Sequence, residues 1–230
     1  MKNIYLLFIL VILGLFSSCG IDLGPTFRED IPVAPFHKIE IKADLDVYLQ
    51  QDHWLGVVAE AQEEVLNRLE YQVSNGKLTI RDNGNLRGPA SIYIHVPFLT
   101  RVEHDCHGSI YGQNYFVLDE EIEIISTRRG DIDLAIDAPS IKVRHRSKGD
   151  IIIEGNAGYL DLRVNDEGSF YGFDLHAEEA KVRMNNSGDA EIYVGYDLDA
   201  NIGGTGNIFY RGNPDIYLDG NGSGELINSN

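Results

Sequence analysis

Seven glycines, Gly108, Gly130, Gly149, Gly168, Gly188, Gly206 and Gly224, follow one another at intervals of 22, 19, 19, 20, 18 and 18 residues. Each is followed by a small or acidic residue and then an apolar one, from Gly108-Ser109-Ile110 to Gly224-Glu225-Leu226. A period near 19 with strand-type alternation marks a solenoid in which each coil stacks on the next. The Leu-x-x-Leu-x-Leu ladder of leucine-rich repeats and the hexapeptide repeat are both missing. The period therefore predicts an all-β fold, a single-stranded parallel β-helix of about 18–22 residues per coil. Parallel crossovers are overwhelmingly right-handed, so the expected coil is right-handed.

Aligning the coils on the glycine sorts the side chains by face. Six residues before it stand Val102, Ile124, Val143, Leu162, Val182, Ala200 and Leu218, and two after it stand Ile110, Ile132, Ile151, Phe170, Ala190, Ile208 and Leu226. Apolar columns spaced by two are what a strand with one buried face requires. The glycine is expected at a corner with a positive φ, which only glycine adopts without strain. Pro97, Pro139 and Pro214 are expected at a second corner.

The column seven before the glycine reads Arg101, Glu123, Lys142, Asp161, Lys181 and Asp199, six charges alternating in sign, and then Tyr217. Coils about 4.8 Å apart would set each charge between two opposite ones and so pin the register. The outward column five before the glycine holds Arg144, Arg163 and Arg183 in succession, flanked by Lys142, Arg146, Lys148 and Lys181, with Arg128 and Arg129 at its edge. Adjacent guanidinium groups at that spacing repel by up to about 0.9 kcal/mol even in water. This stripe is the candidate ligand-binding surface, because Arg forks match carboxylate and phosphate. Its ligand would be an anionic polysaccharide, lipopolysaccharide phosphate or an acidic partner protein. Local neutralisation by Asp161, Glu123 and other outward acids is the preferred reading of the stripe.

Before the first repeat, Phe36–Ile41, Asp46–Gln50, Val57–Ala61, Glu70–Val73, Lys77–Arg81 and Ser91–Val96 alternate as strands, with a hairpin turn at Ser74-Asn75-Gly76. One short helix fits Gln62–Arg68. Residues 36–97 are expected to lead into the solenoid and cover its N-terminal mouth, and 98–230 to form regular coils.

Residues 1–18 read as a signal peptide: Lys2, then an apolar run from Ile4 to Phe16 too short to span a membrane. The run closes in Phe16-Ser17-Ser18-Cys19-Gly20, which resembles the lipobox of bacterial lipoproteins. That resemblance implies lipidation at Cys19, with 19–35 as a tether and a membrane partner through the lipid. The expected location is the cell envelope, as an outer-membrane-anchored lipoprotein facing the periplasm or the outside. Lys and Arg number 19 against 36 Asp and Glu, a net charge of -17 that argues against nucleic acid as a partner. Two cysteines exclude a disulfide scaffold.

From Phe36 to Asn230 the chain resembles the family described as "putative auto-transporter adhesin head GIN domains". The resemblance is carried by Ile39-Glu40-Ile41, Asp46-Val47-Tyr48-Leu49, Asn75-Gly76-Lys77-Leu78-Thr79-Ile80, Val96-Pro97-Phe98-Leu99 and the Gly-Asp and Gly-Ser corners. It implies a β-helix-like fold and an adhesive or binding role, and it supplies no catalytic residues and no cofactor. The alternative is a polysaccharide lyase or hydrolase on a β-helix. No nucleophile elbow, phosphate loop or zinc signature is present in the sequence.

Among chemistry-bearing residues, His104, Asp105, Cys106 and His107 are the densest metal-ligand cluster, but alternation sends His104 and Cys106 to one face and Asp105 and His107 to the other. His145 shares the inward column of His104. Buried, hydrogen-bonded histidines are the preferred reading, and no metal is expected. The corner residues Asp131, Asp150, Asp189, Asn207 and Glu225 are read as caps of nearby backbone N–H groups in preference to calcium ligands. Tyr111, Tyr171 and Tyr210 lie just beyond the corner, where exposed rings can stack on sugar.

Overall fold

The computed structural model describes residues 25–84, 86 and 88–230; the signal peptide and Cys19 lie outside the described residues. The N-terminal part comprises β1 (Thr26–Ile31), β2 (Lys38–Ile41), β3 (Asp46–Gln51), β4 (Gly56–Gln62), the single-turn α1 (Glu63–Leu66), β5 (Leu69–Ser74), β6 (Lys77–Asp82) and β7 (Ala90–Val96). The repeats supply β8 (Arg101–His104), β9 (Ile110–Gly112), β10 (Phe116–Val117) and β11 (Ile122–Ser126). Four long strands follow, β12 (Ile132–His145), β13 (Ile151–Val164), β14 (Phe170–Met184) and β15 (Ala190–Ile202), then β16 (Ile208–Gly212), β17 (Asp215–Asp219) and β18 (Leu226–Asn228). Together they form a parallel β-solenoid of about seven turns.

Two walls of strands enclose the core. The first runs β6-β2-β8-β11, then through the C-terminal halves of β12 to β15 to β17. The second runs β7-β3-β9, then through the N-terminal halves of β12 to β15 to β16 and β18. Along the first wall Leu78, Ile39, Val102, Ile124, Val143, Leu162, Val182 and Ala200 form one inward file, every member at 0% exposure. Ile92, Val47, Ile110, Ile132, Ile151, Phe170, Ala190 and Ile208 do the same along the second. Each large side chain so buried contributes roughly 1.5–3 kcal/mol.

The long strands bend without breaking their ladders. In β12 the buried positions are Ile132, Leu134, Ile136 and Ala138, and then Ile141, Val143 and His145, so the alternation changes phase at Pro139 and Ser140. That phase change is the second corner. Pro139 lies where a missing N–H costs no ladder bond.

The repeat glycines are required for a different reason from the expected one. Positive φ values belong to Gly76, Gly84, Gly88, Gly155, Gly212 and Gly220, and to Asn75, but to none of the seven repeat positions. A Cβ on Gly149, Gly168, Gly188, Gly206 or Gly224 would instead lie 1.9–2.3 Å from the carbonyl oxygen of the repeat glycine one coil before. Backbone stacks on backbone at this edge, and any side chain would wedge the coils apart.

Stack order departs from chain order at the N-terminal end. The β2–β3 turn lies between the β6–β7 turn and the β8–β9 turn, pairing in parallel with both. Beyond β7 the mouth is covered by antiparallel strands: β4 on β7, β5 on β6, and β1 on β4. Val65 of α1 and Leu69 are buried beneath this cover. The β5–β6 turn has Asn75 at φ 51° and Gly76 at φ 69°, the paired positive values of a tight hairpin. Thr26–Ile31, inside the stretch read as a tether, forms β1; its outer edge makes it exposed along most of its length, so no alternation marks it. At the other end Ile216 and Leu218, inward by the repeat, are 44% and 53% exposed because no described coil lies beyond them.

Candidate functional site

The outward face of the first wall carries two vertical files. One reads Lys77, Lys38, Arg101, Glu123, Lys142, Asp161, Lys181 and Asp199, confirming the alternating column. The other holds Glu40, Glu103, Arg144, Arg163, Arg183 and, past Asn201, Asp219. Together these positions hold eight basic and six acidic residues, a surplus of two positive charges on a chain of net charge -17.

Most of these charges are paired. Arg101 donates to Glu103 at 2.7 Å and to Glu123 at 2.5 Å, and Lys77 bridges to Glu40 at 2.9 Å. Lys142 pairs with Glu121 at 2.7 Å rather than with its file neighbours, and Lys181 pairs with Asp199. Hydrogen bonds from Lys142 hold Glu121 below the usual carboxylate range, and those to Glu121 raise Lys142.

Asp161 is the centre of the face. Arg144 donates to its carboxylate at 2.7 Å and to its backbone carbonyl at 3.0 Å, and also to the carbonyl of Val143. Arg183 donates to the other carboxylate oxygen at 3.1 Å, and Arg163 stands 3.6 Å from that same oxygen. Burial alone would raise the pKa of Asp161, but the hydrogen bond from Arg144 and the charges of all three guanidinium groups outweigh it and hold it below the ordinary value.

One carboxylate thus answers three cations. Arg144, whose side chain is 13% exposed, is committed to the scaffold, whereas Arg163 and Arg183 are 44% and 29% exposed. Of the other residues expected at the site, Arg146 is exposed and makes no ion pair among the described residues, and Lys148 pairs with Glu167 at 2.7 Å.

The remaining chemistry-bearing groups have structural partners. His104 and His145 are buried on either side of Ser126 in one inward file. Ser126 donates to Ser147 at 2.9 Å, and the Ser147 hydroxyl lies 3.2 Å from Nδ1 of His145. Burial lowers the pKa of both imidazoles and pushes the Cys106 thiol up to about 12. Asp105 and His107 face outward to Arg128 and Asp44.

The corner residues form a ladder between coils, not a set of local turns. Asp131 accepts from the backbone N–H of Asp150 at 2.7 Å, Asp150 from Ser169 at 2.9 Å, Asp189 from Asn207 at 2.8 Å and Asn207 from Glu225 at 2.9 Å. Among the described residues no three His, Cys, Asp or Glu side chains are grouped to hold a metal ion.

A stack of coils locked by self-complementary charge files, with three cations around one carboxylate on one wall, defines the class: a parallel β-solenoid. The chain belongs to the family described as "putative auto-transporter adhesin, head GIN domain", whose model matches residues 35–214. The fold is shared with a "putative adhesin" of Bacteroides fragilis at TM-score 0.83 and 21% identity, covering 89% of this chain and 97% of that one. A "putative adhesin" of Parabacteroides distasonis matches at TM-score 0.68 and 20% identity over 90% and 98% of the two chains. A "putative lipid binding protein" of the same species matches at TM-score 0.64 and 20% identity over the same shares. No curated protein matches. Among the described residues no helix is long and apolar enough to cross a membrane.

Proposed function

We propose that this protein is a non-catalytic binding protein of the cell envelope, held by lipid at Cys19, whose first wall docks an anionic ligand through Arg163 and Arg183. The shared chemistry of the ligand is a row of carboxylate or phosphate groups, as in uronate-bearing polysaccharide or the phosphates of lipopolysaccharide. The observation that carries the reading is the imbalance at Asp161, where three guanidinium groups share one carboxylate. A ligand oxyanion between Arg163 and Arg183 would supply the missing negative charge and accept forked hydrogen bonds. Binding spread along a flat wall needs no enclosed pocket, whereas catalysis would.

The test is retention of the protein on immobilised polygalacturonate and on lipopolysaccharide, comparing it with the double variant Arg163→Gln, Arg183→Gln. Arg144 is left intact because it holds the wall together. Salt-sensitive retention that disappears in the variant supports the proposal and identifies the source of the anion. Retention unchanged by the double substitution refutes it, as does retention of neither polymer.

A further inference from the structure

A groove of about 490 Å³ runs lengthwise past the corner at Gly158, lined from five successive coils. The register creates it. Val117, Asp137, Asn156, His176 and Tyr193 stand in one file and form one side. Beside them the lining is Ala157, Ala177, Gly158 and Gly195, too small to fill the space, and Tyr196 closes the groove with 66% of its surface exposed.

The polar groups of the wall are fixed in place. Asn156 donates to Oδ1 of Asp137 at 2.7 Å, and the Tyr115 hydroxyl donates to the same oxygen at 3.2 Å. The other oxygen of Asp137 and the amide oxygen of Asn156 accept no hydrogen bond among the described residues, which leaves two fixed acceptors beside the groove. His176 and Tyr193 stack on each other with ring centroids 4.3 Å apart.

We propose that this groove binds a neutral glycan, with the apolar face of a sugar ring against Tyr196 and its hydroxyls donating to Asp137, Asn156 and Glu178. Ligand charge decides against an anion, since Asp137 and Glu178 line the groove and no Lys or Arg does. An ammonium ligand needs ring faces turned towards it. Stacking occupies one face of His176 and one of Tyr193, so these two rings do not wall a cation from several sides as a cage does. An added peptide strand needs a free sheet edge. At this corner Ala157 already pairs with Ala138 on one side and Ala177 on the other. What remains is the exposed ring of Tyr196 beside fixed acceptors, the combination that matches a polyol with apolar C–H faces. This site stands apart from the basic wall and uses none of its residues.

The experiment is an array of neutral oligosaccharides, including maltoheptaose, cellohexaose and mannan fragments, with spermine and choline as cationic probes, read by direct binding for the protein and for Tyr196→Ala and Asn156→Ala. Both positions are exposed. Circular dichroism of each variant confirms that it is folded. The expected result is retention of at least one neutral oligosaccharide that survives about 0.5 M NaCl and weakens at least about tenfold in both variants. The Arg163→Gln, Arg183→Gln protein should bind it normally. Absence of neutral-sugar binding, sugar binding that both variants keep, or binding of spermine or choline in place of sugars would each overturn the assignment.

Discussion

If backbone contact is what demands the repeat glycines, then Gly168→Ala and Gly195→Ala should have opposite effects. An ideal Cβ at Gly168 would lie 2.1 Å from the carbonyl oxygen of Gly149 and 2.7 Å from two ring atoms of His145. Cβ contacts are essentially never shorter than 3.0 Å, so the coils must give way by at least about 0.9 Å at a point where both neighbours are backbone or buried ring. Overpacking of this kind costs about 1–3 kcal/mol. The hydrogen bond from the Gly168 N–H to the Ser147 carbonyl, 3.0 Å long, is lost with it at about 1 kcal/mol. The sum is roughly 2–4 kcal/mol of lost stability. At Gly195 the nearest atom to an added Cβ is 3.6 Å away and φ is not positive, so alanine there should be neutral or stabilise by about 0.5 kcal/mol through the unfolded chain. Urea unfolding followed by circular dichroism measures both as shifts in midpoint. Equal midpoints for the two variants would refute the argument, and would return the repeat glycines to a role in local backbone conformation.

Three further outcomes follow from the same geometry. Asp161→Asn removes the negative charge shared by three guanidinium groups and should cost about 3 kcal/mol, partly recovered by added salt that screens the remaining repulsion, with unfolding midpoints compared at low and high ionic strength. His104 and His145 have pKa values lowered by burial, so the unfolded chain takes up protons below about pH 6.5 while the folded chain does not. Stability should therefore be complete above that pH and decline as pH falls towards the lowered folded values, and His145→Gln should flatten the slope of unfolding free energy between about pH 7 and 5. Asp150→Ala should speed amide exchange at Ser169, whose N–H loses its acceptor one coil away, while the amide of Leu162 in the first wall stays protected.

The coil, its two buried columns and the charge register were legible because a solenoid repeats one environment many times. A side chain inward at Val143 is inward again at Leu162 and Val182, and averaging over coils suppresses local noise. The N-terminal stack order was not legible. Val47 and Ile92 have the same alternation whichever coil they adjoin, and no local signal says that β2–β3 lies between two turns that follow it in the chain. The Arg column was read correctly as a stack and Asp161 in the neighbouring column was named among its neutralising acids, but alignment compares equivalent positions and so did not show that Arg144, Arg163 and Arg183 converge on that one carboxylate. The groove left little trace, because it is made by what Ala157, Gly158 and Gly195 lack. Its one sequence signal was Asn156, His176 and Tyr193 at coil spacing, blurred by the register shifts between β13, β14 and β15.

Both candidate surfaces fall on the same stretch of the rod. Arg144, Arg163 and Arg183 lie on β12, β13 and β14, and the groove spans those strands together with β10 and β15. These are the coils in which strands of 13–15 residues run unbroken around the second corner. Groups carried on paired strands hold their geometry better than groups on loops. The corner ladder through Asp131, Asp150 and Asp189 secures the opposite edge of the same coils. Elsewhere on the first wall a charge is largely cancelled by a neighbour, which locks register and leaves little field for a ligand. At Asp161 three guanidinium groups share one carboxylate, and that imbalance falls where the scaffold is best able to bear the repulsion.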